Sequence, residues 1–135
     1  MKIAFIGGFA FSPKGTMRAR AFPLAVELAR LGHNVTMFLT PYDNPSDLGR
    51  EWEQEWVHIR NMNCGPLGRT AFHTPLLKNL ISEVKRFRPN VIHVFKPKGF
   101  AGAAASFWLF NGIRSLVLDC DDWEGRGGWN DVNPY

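Results

Sequence analysis

The sequence has little cysteine and no long hydrophobic run. Cys64 and Cys120 are the only cysteines among 135 residues, and they match no metal-binding or redox spacing. Two isolated thiols favour a reducing compartment over a disulfide scaffold, which makes the cytoplasm the expected location. The longest uncharged stretch, residues 99–113, has 15 residues, whereas a helix that spans a bilayer needs roughly 20. We therefore expect no transmembrane helix.

Acidic residues are scarce before position 119. Fifteen of the 16 lysines and arginines lie there, against seven of the 12 acids, so the net charge of residues 1–118 is 15 − 7 = +8. This charge fits phosphate-bearing ligands or peripheral contact with the anionic inner face of a membrane, and it fits a solvated surface equally well. The chain has no nucleic-acid-binding motif, so nucleic acid is not an expected partner.

Two phosphate-binding signatures are also missing. Neither G-x-G-x-x-G nor G-x-x-x-x-G-K-[ST] occurs in the chain. Their absence argues against a nicotinamide-dependent dehydrogenase and against a P-loop NTPase.

Short apolar runs alternate with segments of helical periodicity along most of the chain. Pro23 lies inside the first helical segment, so the regular helix either begins between residues 19 and 22 or bends at the proline, and we expect the later start. At this length the alternation predicts one α/β domain, a doubly wound parallel sheet with helices on both faces. The predicted strands are residues 2–6, 34–39, 57–60, 91–95 and 115–119, and the predicted helices end near Gly32 and span residues 75–87 and 99–110.

The middle of the chain has the least regular pattern. Residues 42–55 are polar and are expected to be irregular. Trp52 and Trp56 lie four positions apart in EWEQEW. On a helix they would share one face, which would pack against the domain or reach a membrane interface.

Three loops follow predicted strands, at residues 7–16, 96–98 and 119–128, and in a doubly wound sheet such loops share one crevice. The first delivers Lys14, Gly15 and Thr16 to the start of a helix, with Arg18 and Arg20 close behind. Free backbone N–H groups and the helix dipole would favour a phosphate or sugar-phosphate there. A glycine-containing turn beside solvent-facing arginines is the alternative.

The second loop carries Lys96 and Lys98 on either side of a proline. The two ammonium groups either face the crevice or belong to a polar turn. His33 and His93, in a predicted turn and a predicted buried strand, are expected to be structural.

The third loop concentrates carboxylates and indole rings. In carbohydrate sites, carboxylates typically bond to the sugar hydroxyls while an indole ring packs on the apolar face of the sugar. The alternative is an acidic surface loop. Asp119-Cys120-Asp121 also matches the D-x-D metal motif of GT-A glycosyltransferases. The residues concerned are Asp119, Asp121, Asp122, Trp123, Glu124 and Trp129.

Several segments together resemble the N-terminal domain of family 4 (group 1) glycosyltransferases of the GT-B fold. MKIAFI, Lys14-Gly15 and LAVELARLGHNVTMF resemble the opening of that domain. RPNVIHVFKP is similar to its R-P-D-V-V-H strand, and LDCDDWEGRGGW to an acidic segment that follows a later strand.

The resemblance implies a single Rossmann-like acceptor-side domain that covers residues 1–135. It also implies that the chain is truncated and lacks the C-terminal domain that would bind the nucleotide sugar. It implies transfer with retention to a glycan, lipid or small-molecule acceptor, with no cofactor and no metal. Gly15 then stands near the donor phosphates and Asp121 and Asp122 near the acceptor, while Lys14 replaces the first glycine of the usual pair. No catalytic residue is assigned, and the chain alone is expected to be inactive. A non-catalytic binding module, or a subunit of a split glycosyltransferase, is the alternative.

Overall fold

A computed structural model describes residues 1–12, 15–63, 73–113 and 115–120. Its helices are α1 (Phe22–Arg30), α2 (His73–Phe87) and α3 (Gly99–Phe110), with a π-helical segment at Met17–Ala21 and a 3-10 turn at Pro45–Asp47. Its strands are β1 (Lys2–Gly7), β2 (Asn34–Leu39), β3 (Glu51–Gln54), β4 (Val57–Asn61), β5 (Val91–Phe95) and β6 (Leu116–Asp119).

The six strands form one sheet in the order β3-β4-β2-β1-β5-β6. All neighbouring pairs are parallel except β3 and β4, which are antiparallel at one edge. β1 and β2 lie in the interior of the sheet, and after its exposed first residue each is buried throughout. Continuous apolar runs of this kind are what a strand covered on both faces requires.

Two apolar cores lie on opposite faces of the sheet. Ile3 and Phe5 pack beneath α1, whereas Ala4 and Ile6 pack beneath α2 and α3. Successive side chains of a strand point to opposite faces, so β1 contributes to both cores. The predicted doubly wound α/β fold with helices on both faces is confirmed.

The first helix begins regularly only at Phe22, so that Pro23 lies in its first turn. The π-helical segment Met17–Ala21 precedes it. Proline has no N–H that could donate a hydrogen bond to a carbonyl of the preceding turn. The wider π-helical turn lies where that hydrogen bond is missing. The expected later start is confirmed.

The expectation that residues 42–55 are irregular is wrong at residues 51–54, and so is the helical interpretation of EWEQEW, because β3 forms an antiparallel hairpin with β4. Trp52 pairs with Ile59 and packs edge-on against Phe11, with ring centroids 5.7 Å apart. Trp56 lies in the two-residue turn and is 67% exposed. The edge strand pairs with the backbone of β4 and partly buries Trp52. This gain outweighs the helical spacing.

The remaining predicted elements lie within a residue or two of their observed bounds. In α3, a Cβ on Gly102 would overlap the carbonyl group of Pro97, so the small residue lets the start of this helix approach the loop after β5. Among the described residues, no helix is both long and apolar enough to cross a membrane.

Candidate functional site at the carboxyl edge of the sheet

The loop after β1 starts from a glycine that two side chains closely cover. A Cβ on Gly7 would lie 2.5 Å from Cε of Met17 and 2.7 Å from Cδ2 of Leu39. Ordinary van der Waals contact needs about an ångström more. Gly7 therefore allows the helical segment that follows to pack directly over the end of the strand.

Hydrogen bonds tie the loop after β1 to the loop after β2. The Ala10 N–H donates to Oδ1 of Asp43 over 2.8 Å, and Nδ2 of Asn44 donates to the Ser12 carbonyl over 3.2 Å. Closer to the sheet, Oγ1 of Thr40 donates to the Gly7 carbonyl over 3.1 Å. The first loop is thus held by side chains before the helical segment begins.

The helical segment opens with a backbone that a ligand can approach. Gly15 is exposed, and a Cβ built on it would meet no atom within 4 Å. Thr16 is partly buried and Arg18 is exposed. Neither α1 nor the π-helical segment has an acid in its first turn. The first turns of these described helical segments therefore carry no acid that would repel an anion, while Lys14 lies outside the described residues.

Arg20 links this segment to the end of β6. Its Nη2 atom lies 2.7 Å from Oδ1 of Asp119, and Nε2 of His93 lies 3.9 Å from Oδ2 of the same carboxylate. The His93 ring stacks on Phe95, with centroids 4.4 Å apart. Burial lowers the pKa of His93, and the charge of Asp119 raises it only in part, so the pKa stays below its ordinary value. A neutral imidazole thus lies beneath an ion pair at the rim of the sheet.

Lys96 and Lys98 shape the loop after β5. Lys96 has a φ of 45°, and the Lys98 N–H donates to its carbonyl over 2.6 Å. The Lys98 carbonyl accepts from Gly102 over 3.2 Å at the start of α3, and the Lys96 N–H donates to the Asp119 carbonyl over 2.9 Å. Both lysine side chains are partly buried. The backbone of this loop is therefore fixed beside the end of β6.

The loop after β1 and the loop after β5 adjoin one another. A Cβ on Gly8 would lie 3.5 Å from the Lys98 carbonyl oxygen. The ring of Tyr42 joins them from the side, with centroids 5.7 Å from Phe9 and 5.9 Å from Phe100. The described part of the crevice thus has an aromatic wall on one flank and the Arg20 ion pair on the other.

Four predicted binding residues, Lys14, Asp121, Asp122 and Trp123, lie outside the described part of the chain, as do Glu124 and Trp129. Asp119, which directly precedes this group, lies at the edge of the sheet where Arg20 meets it. Sequence reasoning missed the contribution of Tyr42 and Asp43, because neither residue belongs to a motif and only the approach of two loops gives them their positions.

The mostly parallel sheet with helices on both faces defines a Rossmann-like α/β domain. The model of the "Glycosyl transferase 4-like domain" family matches residues 15–132. The chain belongs to this family, as its resemblance to family 4 enzymes of the GT-B fold predicts.

One solved structure with the same fold is the sucrose-phosphate synthase from Thermosynechococcus elongatus. It superposes with a TM-score of 0.57 at 16% sequence identity, over 87% of this chain. The match covers 32% of that protein, so the chain spans about a third of its length. No curated protein sequence matches the chain.

Proposed function

We propose that the chain is the acceptor-side domain of a retaining glycosyltransferase, which transfers a sugar from a nucleotide-sugar donor to a glycan, lipid or small-molecule acceptor. The observation that carries the proposal is the arrangement at the carboxyl edge, where the open helical start at Gly15 lies one turn before Arg20 and its partner Asp119. Membership of the glycosyltransferase 4-like family supplies the reaction class.

The helical start has the chemistry to receive donor phosphates. Backbone N–H groups at Gly15 and Thr16 carry partial positive charge and can donate to phosphate oxygens. Arg18 adds a full charge within the same turn. Lys96 and Lys98 extend the positive field from the neighbouring loop. Phosphate charge is then balanced by the protein itself, so the proposal includes neither a metal nor a cofactor.

The end of β6 has the chemistry to position an acceptor. Asp119 is held by Arg20 at the rim, and the residues that follow continue the acidic run. In the proposal, the carboxylates of Asp121 and Asp122 accept hydrogen bonds from acceptor hydroxyls, and the indole of Trp123 lies against a sugar face. A second, C-terminal domain supplies most of the contacts to the nucleotide sugar.

The GT-A interpretation of Asp119 and Asp121 is not retained. The chain belongs to a family of GT-B type, and the Asp119 carboxylate already accepts a guanidinium hydrogen bond over 2.7 Å. A divalent cation at this carboxylate would have to compete with the charge of Arg20.

The test is a titration of the isotope-labelled 135-residue chain, followed by NMR, with inorganic phosphate, UDP-glucose and GDP-mannose in turn. Amide shifts should concentrate at Gly15, Thr16 and Arg18. Arg18→Ala should weaken the response several-fold, whereas Lys78→Ala, an exposed control on α2, should not. Absence of shifts at the helical start would refute the phosphate site.

The same samples distinguish a single domain from a complete enzyme. With the nucleotide sugars and a panel of glycan and lipid-linked acceptors, the chain alone should bind weakly and release no product. Turnover by the chain alone would show that no second domain is needed for the donor. Acceptor binding without turnover, even after a donor-binding domain is supplied, would favour the non-catalytic module.

A lipid-linked acceptor would place the domain peripherally at the inner face of a membrane. Co-sedimentation with vesicles of phosphatidylglycerol and phosphatidylcholine tests this part of the proposal. Binding that falls as salt increases would support it, because attraction between basic residues and anionic lipid is screened.

A further inference from the structure

A groove on the α2 side of the sheet is separate from the carboxyl edge. It has a volume of about 610 Å³ and is lined by the β3–β4 hairpin, the first half of β2 and the end of α2. Asn34 begins β2, and Phe87 ends α2 beside the amino end of β1, where Nζ of Lys2 donates to its carbonyl over 3.3 Å. The groove therefore opens near the amino ends of the strands.

The polar groups of the groove follow from the alternation of β4. Val57 and Ile59 face the core beneath α1, so His58 and Arg60 face the groove. Across the hairpin, Glu53 pairs with His58 and Glu51 with Arg60. The wall is thus a row of carboxylate, imidazole and guanidinium groups.

Arg60, in the described lining, is already neutralised by carboxylates. Nη2 of Arg60 lies 2.8 Å from Oε1 of Glu51, and Nη1 lies 2.9 Å from Oε2 of Glu83. Burial lowers the pKa of Arg60, but hydrogen bonds and charges from these two acids outweigh it, so its pKa is raised. The carboxylates of Glu51 and Glu53 and the guanidinium of Arg60 together give the lining a charge of −2 + 1 = −1. On a chain of net charge +4, this groove is unsuited to phosphates or nucleic acid.

Trp56 stands at the mouth of the groove on a strained turn. Only Glu55 and Trp56 connect β3 to β4, and their φ values are 47° and 63°. Such turns favour Asn-Gly, because both positions need positive φ. Burial of the indole does not offset this backbone strain, since Trp56 is 67% exposed. Oε2 of Glu55 lies 3.6 Å from Nη2 of Arg30, which holds the turn against α1.

We propose that this groove binds a neutral sugar unit of an oligosaccharide, with the Trp56 indole against the ring and Glu53, His58, Thr36 and Asn34 bonding to hydroxyls. An aromatic ring beside carboxylate, imidazole, hydroxyl and amide groups offers an apolar face and polar partners together, as a sugar requires. The volume lies within the range of small-molecule sites. The site is independent of the proposed phosphate site at the other edge.

The test uses the labelled chain with maltotetraose, cellotetraose and mannotetraose as neutral probes, and a heparin tetrasaccharide as the anionic probe. At least one neutral probe should shift the Trp56 indole signal and the amides of Glu53 and His58. Trp56→Gly removes the ring and suits the positive φ, so it should fold and bind at least tenfold more weakly. Phe110→Ala, which removes an aromatic side chain that is 92% exposed elsewhere, should leave binding unchanged.

Three results would overturn the proposal. The first is the absence of groove shifts with every neutral probe. The second is equal or tighter binding of the anionic probe at these residues. The third is sugar binding that Trp56→Gly leaves intact, with shifts only at Gly15 and Arg20, and that result would leave the proposed function at the carboxyl edge standing.

Discussion

Arg20 and Asp119 form an ion pair of 2.7 Å although 99 positions separate them in the chain. The contact joins the helical segment after β1 to the end of β6, on either side of the loop after β5. It therefore connects the proposed phosphate-binding and acceptor-binding halves of the crevice.

Arg20→Ala should affect binding more than folding. The Arg20 side chain is 49% exposed, and exposed ion pairs contribute about 0.2–1 kcal/mol. Urea unfolding should therefore show a loss within that range, while the response to phosphate weakens several-fold. Lys78→Ala is the control for loss of a surface charge. A loss of stability above about 2 kcal/mol would instead assign the pair a structural role.

Gly7→Ala should destabilise the domain by about 1–3 kcal/mol, because the new methyl group would overlap Met17 and Leu39. Gly15→Ala is the matched control, since a Cβ there meets nothing within 4 Å. Its effect on stability should be within about 0.5 kcal/mol of neutral or slightly favourable. Chemical denaturation of both variants gives the comparison, and equal effects would contradict the packing explanation.

The pKa of His93 predicts how stability depends on pH. Because burial lowers this pKa in the folded chain, the unfolded chain binds a proton first as the pH falls through about 6.5. The free energy of unfolding should therefore decrease as the pH falls from that value to the lower pKa of His93 in the folded chain. His93→Gln should remove this part of the pH dependence.

Asp119→Asn provides an independent check of the same relationship. The negative charge of Asp119 raises the His93 pKa, so its removal should lower that pKa further. NMR titration of the His93 ring in both proteins measures the shift. An unchanged or higher pKa in the variant would contradict the 3.9 Å pairing.

Trp56→Gly should increase the free energy of unfolding by about 1 kcal/mol, because glycine adopts positive φ without the strain of an L side chain. Glu53→Gly, in the adjoining strand, should have the opposite effect, since glycine weakens a strand. Thermal unfolding at one pH measures both. Destabilisation by Trp56→Gly would show that contacts of the indole outweigh the strain of the turn.

Sequence reasoning was accurate where a local pattern decides the structure. The apolar runs of β1, β2 and β5 and the small residues of α3 gave bounds that the structure reproduces within a residue or two. It failed at Trp52 and Trp56, because a spacing of four residues suits a helix. The strand β3 has only four residues, too few to show a clear alternation of apolar and polar side chains. The pairing of β3 with β4, which corrects the error, depends on a partner strand rather than on local spacing.

The sequence by itself determined the alternation of strands and helices, the glycine at the end of β1 and the family to which the chain belongs. These features follow from apolar periodicity and from residues such as Gly32 and Pro23, whose backbone limits act locally. Only the tertiary structure decided that Arg20 meets Asp119, that the hairpin occupies one edge, and that Arg60 is neutralised within a groove beside Trp56. Those relationships join residues from different strands and helices, and their physical basis is the order in which the strands pair.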